Sequence, residues 1–186
     1  MSKVTTLLYR GKLVESIHNI KCYIGSVDGE KIFSTNNDDD FIYPRSSIKI
    51  FQAMPFASSN AFSVFNLNQK QIALSCSSHC GEYFHIRELK KWISKTKLKL
   101  SYFKCGVHNP LDSKSTEKLF LSGNKPYQLY NNCAGKHLAM LTACKLNKFS
   151  ISDYLDFDHP HQINIRSIFS KFTEEKILIN NYGIDG

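Results

Sequence analysis

Apolar and β-branched residues fall into short runs in the first third of the chain. Val4 to Tyr9, Lys12 to Ser16 and Ile20 to Val27 read as strands, broken by Gly11, Gly25 and Asp28-Gly29. Asp38-Asp39-Asp40, behind Asn36-Asn37, reads as a loop. Gln71 to Ser75 is a further short apolar run and is expected as a strand. The period then changes. Ile86, Leu89 and Ile93 recur three and four apart with lysines on the other face, which predicts an amphipathic helix. His137 to Lys145 predicts a second helix that buries Leu138, Leu141 and Cys144. Ile165, Ile168, Phe169 and Phe172 form a third apolar stripe, and Ile177 to Asn181 is expected as a last strand. Strands first, then mixed helices and strands, argue for an α+β domain of sheet and helices rather than a doubly wound one.

The 186 residues suit one domain, 1–186, with a core of ordinary size. The chain is 42% hydrophobic and 22% charged, which excludes disorder, collagen and coiled coil as overall classes. No apolar run approaches the roughly 20 residues of a membrane helix. The N-terminal residues lack a long apolar stretch, so a cytoplasmic location is expected. Six cysteines, at 22, 76, 80, 105, 133 and 144, are then expected to stay reduced. The net charge of +8 is local: Arg87, Lys90, Lys91, Lys95, Lys97, Lys99 and Lys104 crowd one stretch with Glu88 as its acid. No nucleic-acid motif accompanies them, so the cluster reads as a solvated helix face and nucleic acid is not expected as a partner. Trp92, within it, reads as a core residue.

Four segments could carry chemistry. In Arg45-Ser46-Ser47-Ile48-Lys49, Ser46 and Lys49 lie three apart, so on a helix the amine can reach the hydroxyl. Burial disfavours a lysine's charged form, and a neutral amine can serve as base to a serine nucleophile. The Ser-x-x-Lys arrangement of β-lactamases uses this geometry. Ser75-Cys76-Ser77-Ser78-His79-Cys80-Gly81-Glu82 is a small, polar, reactive stretch suited to a binding loop, with Ser78 alternatively a helix cap. Cys105-Gly106-Val107-His108 and Asn131-Asn132-Cys133-Ala134-Gly135-Lys136-His137 invite a zinc reading, with Cys105, His108, Cys133 and His137 as four ligands. Buried small hydrophobes are the competing reading of those cysteines.

Taken in order, these motifs resemble one family. Arg10-Gly11, Val14 to His18, Arg45 to Lys49, Gln52-Ala53, Ser77 to Glu82, Cys105 to His108, Asn131 to His137, Met140-Leu141, His159-Pro160 and Asp185-Gly186 stand in the order and approximate spacing of the Rhizobium etli-type asparaginases, the asparaginase II family. The resemblance implies a β-sheet flanked by helices, similar to the β-lactamase and serine-dependent glutaminase fold and incomplete at the C-terminus. It implies hydrolysis of L-asparagine to L-aspartate and ammonia. Ser46 then resembles the nucleophile, Lys49 its base and Ser78 a second serine. Cys133 and Lys136 resemble zinc ligands, and Arg45, His137 and Asp185 match substrate-binding positions.

The family's third zinc-ligating cysteine follows its Asp-Gly directly, and a lysine that partners its second serine comes much later. The resemblance therefore implies an N-terminal portion of an asparaginase. A homodimer or a complementing C-terminal fragment is the expected assembly. A catalytically inactive remnant, or one half of a split enzyme, is the alternative expectation.

Overall fold

A computed structural model describes residues 4–35 and 42–183. The acidic run Asp38 to Asp40, expected as a loop, and Asp185 lie outside the described residues. The chain divides into two units, 1–43 and 44–186.

The first unit is built from hairpins. β1 (Val4–Arg10) and β2 (Leu13–Ile20) pair antiparallel, from Val4 opposite Ile20 to Leu8 opposite Ser16. A bulge then shifts the register, so that Tyr9 faces Val14. Gly11 closes the turn at φ +62°, a left-handed conformation that a residue with a Cβ adopts at a cost. β3 (Tyr23–Gly25) and β4 (Lys31–Ser34) make a second, shorter antiparallel pair. Buried Thr35 finishes it, with its hydroxyl accepting from Cys22 N at 2.8 Å.

The second unit is helical. A 3-10 turn, Arg45–Ile48, leads into α1 (Lys49–Ala57), followed by α2 (Ala61–Val64), α3 (Gln69–Ser75), α4 (Tyr83–Thr96), α5 (Ser113–Leu121), α6 (Ala134–Leu146) and α7 (Pro160–Thr173). The axis of this unit is α6, which touches α1, α2, α3, α4 and α7. Every residue from Ala134 to Cys144 is buried, not one face alone. Its small and apolar residues run all round, which is the pattern of a fully enclosed helix. Gly135 permits the closest approach. A Cβ there would stand 2.0 Å from the Leu74 carbonyl oxygen of α3. Trp92 of α4 and Phe56 of α1 are fully buried against each other, ring centres 5.1 Å apart.

The α+β class holds, with the strands as two separate two-stranded sheets. Two element expectations fail. Gln71 to Ser75 is helix, not strand. Asn68 caps it: its side chain accepts from Gln71 N while the Gln71 side chain accepts from Asn68 N, a reciprocal box that satisfies two free donors of the first turn. Ile177 to Asn181 is not a strand either. It runs irregularly into a 3-10 turn at Ile179–Asn181 and pairs with no strand among the described residues. β propensity needs a neighbouring ladder to act on, and that stretch has none there.

Candidate active site

Three motif segments converge on the end of α3. The chain leaves α3 at Ser75, and Ser77 N donates back to Leu74 O. His79 N then donates to Asn132 O at 3.2 Å, and Asp112 N donates to Cys80 O at 3.0 Å. Gly81 turns the loop at φ +80°, where a Cβ would press on Pro110 at 3.0 Å. Asn131 ties the second segment to the third. Its Nδ2 donates to Gly106 O at 2.9 Å, and its Oδ1 accepts from Cys133 N at 2.8 Å. Asn132 N donates to His108 Nε2 at 3.1 Å. The serine loop, the Cys105 to His108 segment and the Asn131-Asn132-Cys133 turn are thus held together by backbone and side-chain hydrogen bonds.

Lys49 reaches the serine loop from α1. It is 1% exposed, and its Nζ donates to Ser78 Oγ at 2.7 Å and to Ser77 O at 3.2 Å. Among the described residues no carboxylate pairs with it. Ser78 itself is exposed, so a lysine amine sealed in the protein touches a hydroxyl open to solvent. Ser46, one turn before Lys49, is exposed, and its hydroxyl forms no hydrogen bond among the described residues. Spacing along the chain makes Lys49 a neighbour of Ser46; the fold brings its amine to Ser78, 29 residues away. Arg45, just before Ser46, is held at φ +46°, a strained left-handed backbone for a non-glycine residue.

His137, expected at the substrate, is fully buried on α6 with its Nδ1 2.7 Å from the Tyr154 hydroxyl. That hydroxyl accepts from Lys104 N at 2.9 Å, and burial holds its pKa far above the usual phenol value. The network ties α6 to the backbone at Lys104.

His79 is buried, and desolvation, aided by the nearby His85, Lys49 and His108, lowers its pKa to about 4. It is therefore neutral. Its Nδ1 accepts from Gly81 N at 3.2 Å, which leaves the ring proton on Nε2, an atom with no partner among the described residues. A cavity of about 440 Å³ lies beside this loop, lined by Lys70, Ala73, Leu74, Ser77, His85 and Glu88.

The four-ligand zinc set does not assemble. His108 has both ring nitrogens engaged, Nε2 by Asn132 N and Nδ1 with Asn109 O at 2.6 Å. Among the described residues, the group of three or more thiol, imidazole and carboxylate donors that does gather is Cys80, Glu82 and His85. Cys133 and Lys136 are both buried at the start of α6, close enough to Cys105 to act on its thiol. Burial pushes that thiol up to about 11, Cys133 adds to the rise and Lys136 opposes it. A buried thiol is a zinc-type donor, and a lysine could join it only in its neutral form.

The basic stretch is largely α4, and several of its cations already have partners. Lys91 Nζ lies 3.1 Å from Glu88 Oε1, and Lys95 donates to Asn66 O. No helix among the described residues is long and apolar enough to cross a membrane.

The family model described as L-asparaginase II matches residues 6–186. No curated protein matches the chain. With a match over essentially its whole length, the chain belongs to the L-asparaginase II family, a family of asparaginase-like amidohydrolases.

Proposed function

We propose that the protein hydrolyses the side-chain amide of L-asparagine through a serine ester, with Ser46 as nucleophile, Lys49 as base and Ser78 as proton relay. The observation that carries this reading is the 2.7 Å bond from the buried Lys49 amine to the exposed Ser78 hydroxyl, one helical turn from Ser46. In the first half-reaction Ser46 Oγ attacks the amide carbon and passes its proton to Lys49. The C–N bond then breaks, and Lys49 returns the proton through Ser78 Oγ, so that nitrogen leaves as ammonia. In the second half-reaction a water molecule attacks the ester, Lys49 takes its proton, and aspartate departs as Ser46 recovers its own. Arg45 and Asp185 are proposed as substrate-binding residues, since a guanidinium and a carboxylate complement the two charges of a free amino acid. His137 contributes by orienting α6 from beneath.

Cys133 and Lys136 are the residues that would hold zinc, which when bound supplies Lewis-acid polarisation. Described cysteines are all free thiols, which suits a reducing compartment such as the cytoplasm.

The same bond favours one second reading, in which Ser78 is the nucleophile and Lys49 its direct base. Acid quenching of a reaction with asparagine, followed by peptide mass mapping, separates the two. An aspartyl adduct on the Ser46 peptide supports the first, and one on the Ser78 peptide the second. Ser46→Ala should then lower ammonia release at least about 1,000-fold and Ser78→Ala roughly 100-fold, since a relay contributes less than the nucleophile. No ammonia release by folded wild-type protein would reject both.

A further inference from the structure

A second donor cluster lies beyond the serine pair. Cys80 ends the serine loop, Glu82 caps α4, and His85 sits one turn into that helix. One ligand atom from each lies within 4.8 Å of the other two. The Cys80 thiol donates to Glu82 Oε1 at 3.1 Å. His85 is half-buried, and its Nδ1 is buried with no hydrogen-bond partner among the described residues. A buried imidazole nitrogen with nothing to bind is costly, and the same ring supplies a nitrogen to the space shared by the thiol and the carboxylate.

From this juxtaposition we propose that Cys80 Sγ, a Glu82 carboxylate oxygen and a ring nitrogen of His85 form a site for a divalent cation of the zinc class, distinct from the Cys133 and Lys136 pair. Several features converge on that identity. Metal bonds of about 2.0–2.3 Å put tetrahedral ligands roughly 3.5 Å apart, a spacing that small side-chain rotations from these positions can reach. Thiolate with imidazole selects zinc or cobalt over magnesium and calcium, which prefer all-oxygen cages. One thiolate and one carboxylate cancel the charge of a divalent ion. On binding, the proton that Cys80 shares with Glu82 leaves to solvent, so the step releases one proton and involves no redox change. Access is open on both sides. His85 lines the 440 Å³ cavity and Glu82 a second space of about 390 Å³, leaving a fourth position for water. The three ligands also join the last residues of the serine loop to the first turn of α4, so the ion would stiffen the loop that carries Ser78.

The test is metal titration of the chelator-treated chain, with zinc followed by calorimetry and cobalt by absorption. Wild type is expected to show a thiolate-to-cobalt charge-transfer band. Cys80→Ser, a near-isosteric change in a half-buried position, should lose one bound equivalent and the part of the band that goes with it. His85→Ala should weaken the same equivalent at least 10-fold. Cys133→Ser should leave that equivalent in place. Because the readout is the difference between wild type and Cys80→Ser, any metal held by Cys133 and Lys136 cancels. Equal stoichiometry and equal spectra in wild type and Cys80→Ser, with both folded by circular dichroism, would overturn the proposal. So would loss of all bound metal in a folded Cys133→Ser protein.

Discussion

Gly135→Ala sets two physical effects against each other. In an exposed helix interior this change stabilises by about 1 kcal/mol, because alanine loses less backbone freedom on folding. Here the new methyl carbon would stand 2.0 Å from Leu74 O and 2.7 Å from Leu74 C, where real contacts stay beyond 3.0 Å. The obstacle is backbone, which cannot swing aside, so α3 and α6 must part by about 1 Å. Overfilling a core costs about 1–3 kcal/mol, and a clash with backbone belongs at the upper end. The net expectation is a loss of about 2 kcal/mol, or a fall in Tm of roughly 4–8 °C for a chain of this size. The Leu74 carbonyl also accepts from Ser77 N and Ser77 Oγ, so the displacement runs into the loop that holds Ser78 on Lys49. Ammonia release should therefore fall even well below the new Tm. Gly106→Ala is the control, since nothing lies within 4 Å of its Cβ position, and it should stay within about 0.5 kcal/mol of wild type. Calorimetric melting of the three proteins decides it. An unchanged or raised Tm for Gly135→Ala would refute the close approach of α3 and α6.

Two further outcomes follow from the same structure. Asn68→Ala removes the α3 cap and the hydrogen bond from Asn68 Nδ2 to Glu88 Oε2, so urea unfolding should show a loss of about 1–2 kcal/mol. A loss below about 0.3 kcal/mol would mean that the cap does not form. His161 is 1% exposed, and burial, aided by His159, lowers its pKa from 6.5 to about 4. The unfolded chain then binds a proton that the folded one refuses, so this stability is whole above pH 6.5 and is lost as pH falls toward 4, at most about 3 kcal/mol. Urea midpoints measured from pH 7 to 4.5 should drop less steeply in His161→Phe than in wild type; parallel curves would show that His161 is not the group responsible.

Local pattern made part of this fold readable. Gly11 between two β-branched runs marks the first hairpin, and the three-and-four spacing of Ile86, Leu89 and Ile93 marks α4. Three apolar residues in a row cannot show a period, so Gln71 to Ser75 could be read either way. The missed signal was Asn68 with Gln71 three residues on, a capping box that announces a helix. For α6 the spacing of Leu138, Leu141 and Cys144 suggested one buried face. The small residues before and between them, Ala134, Gly135, Ala139 and Ala143, are what let other helices close over the rest. The candidate site divides the same way. Spacing makes Ser46 and Lys49 neighbours along one turn, whereas contact between Lys49 and Ser78 depends on α1, α3 and α6 meeting, which no local pattern encodes. The zinc set of Cys105, His108, Cys133 and His137 looked plausible by residue type alone. It fails because Asn132 and Asn109 already occupy the His108 ring.

The account turns on a buried lysine amine that moves protons for amide hydrolysis, and one measurement reaches it directly. Ammonia release from L-asparagine is followed for wild type and for Lys49→Met, which keeps the buried stem and removes the amine. The account predicts release by wild type and a loss of at least about 1,000-fold in the variant with its melting transition intact. Equal release by both proteins, or none by folded wild type, would contradict it.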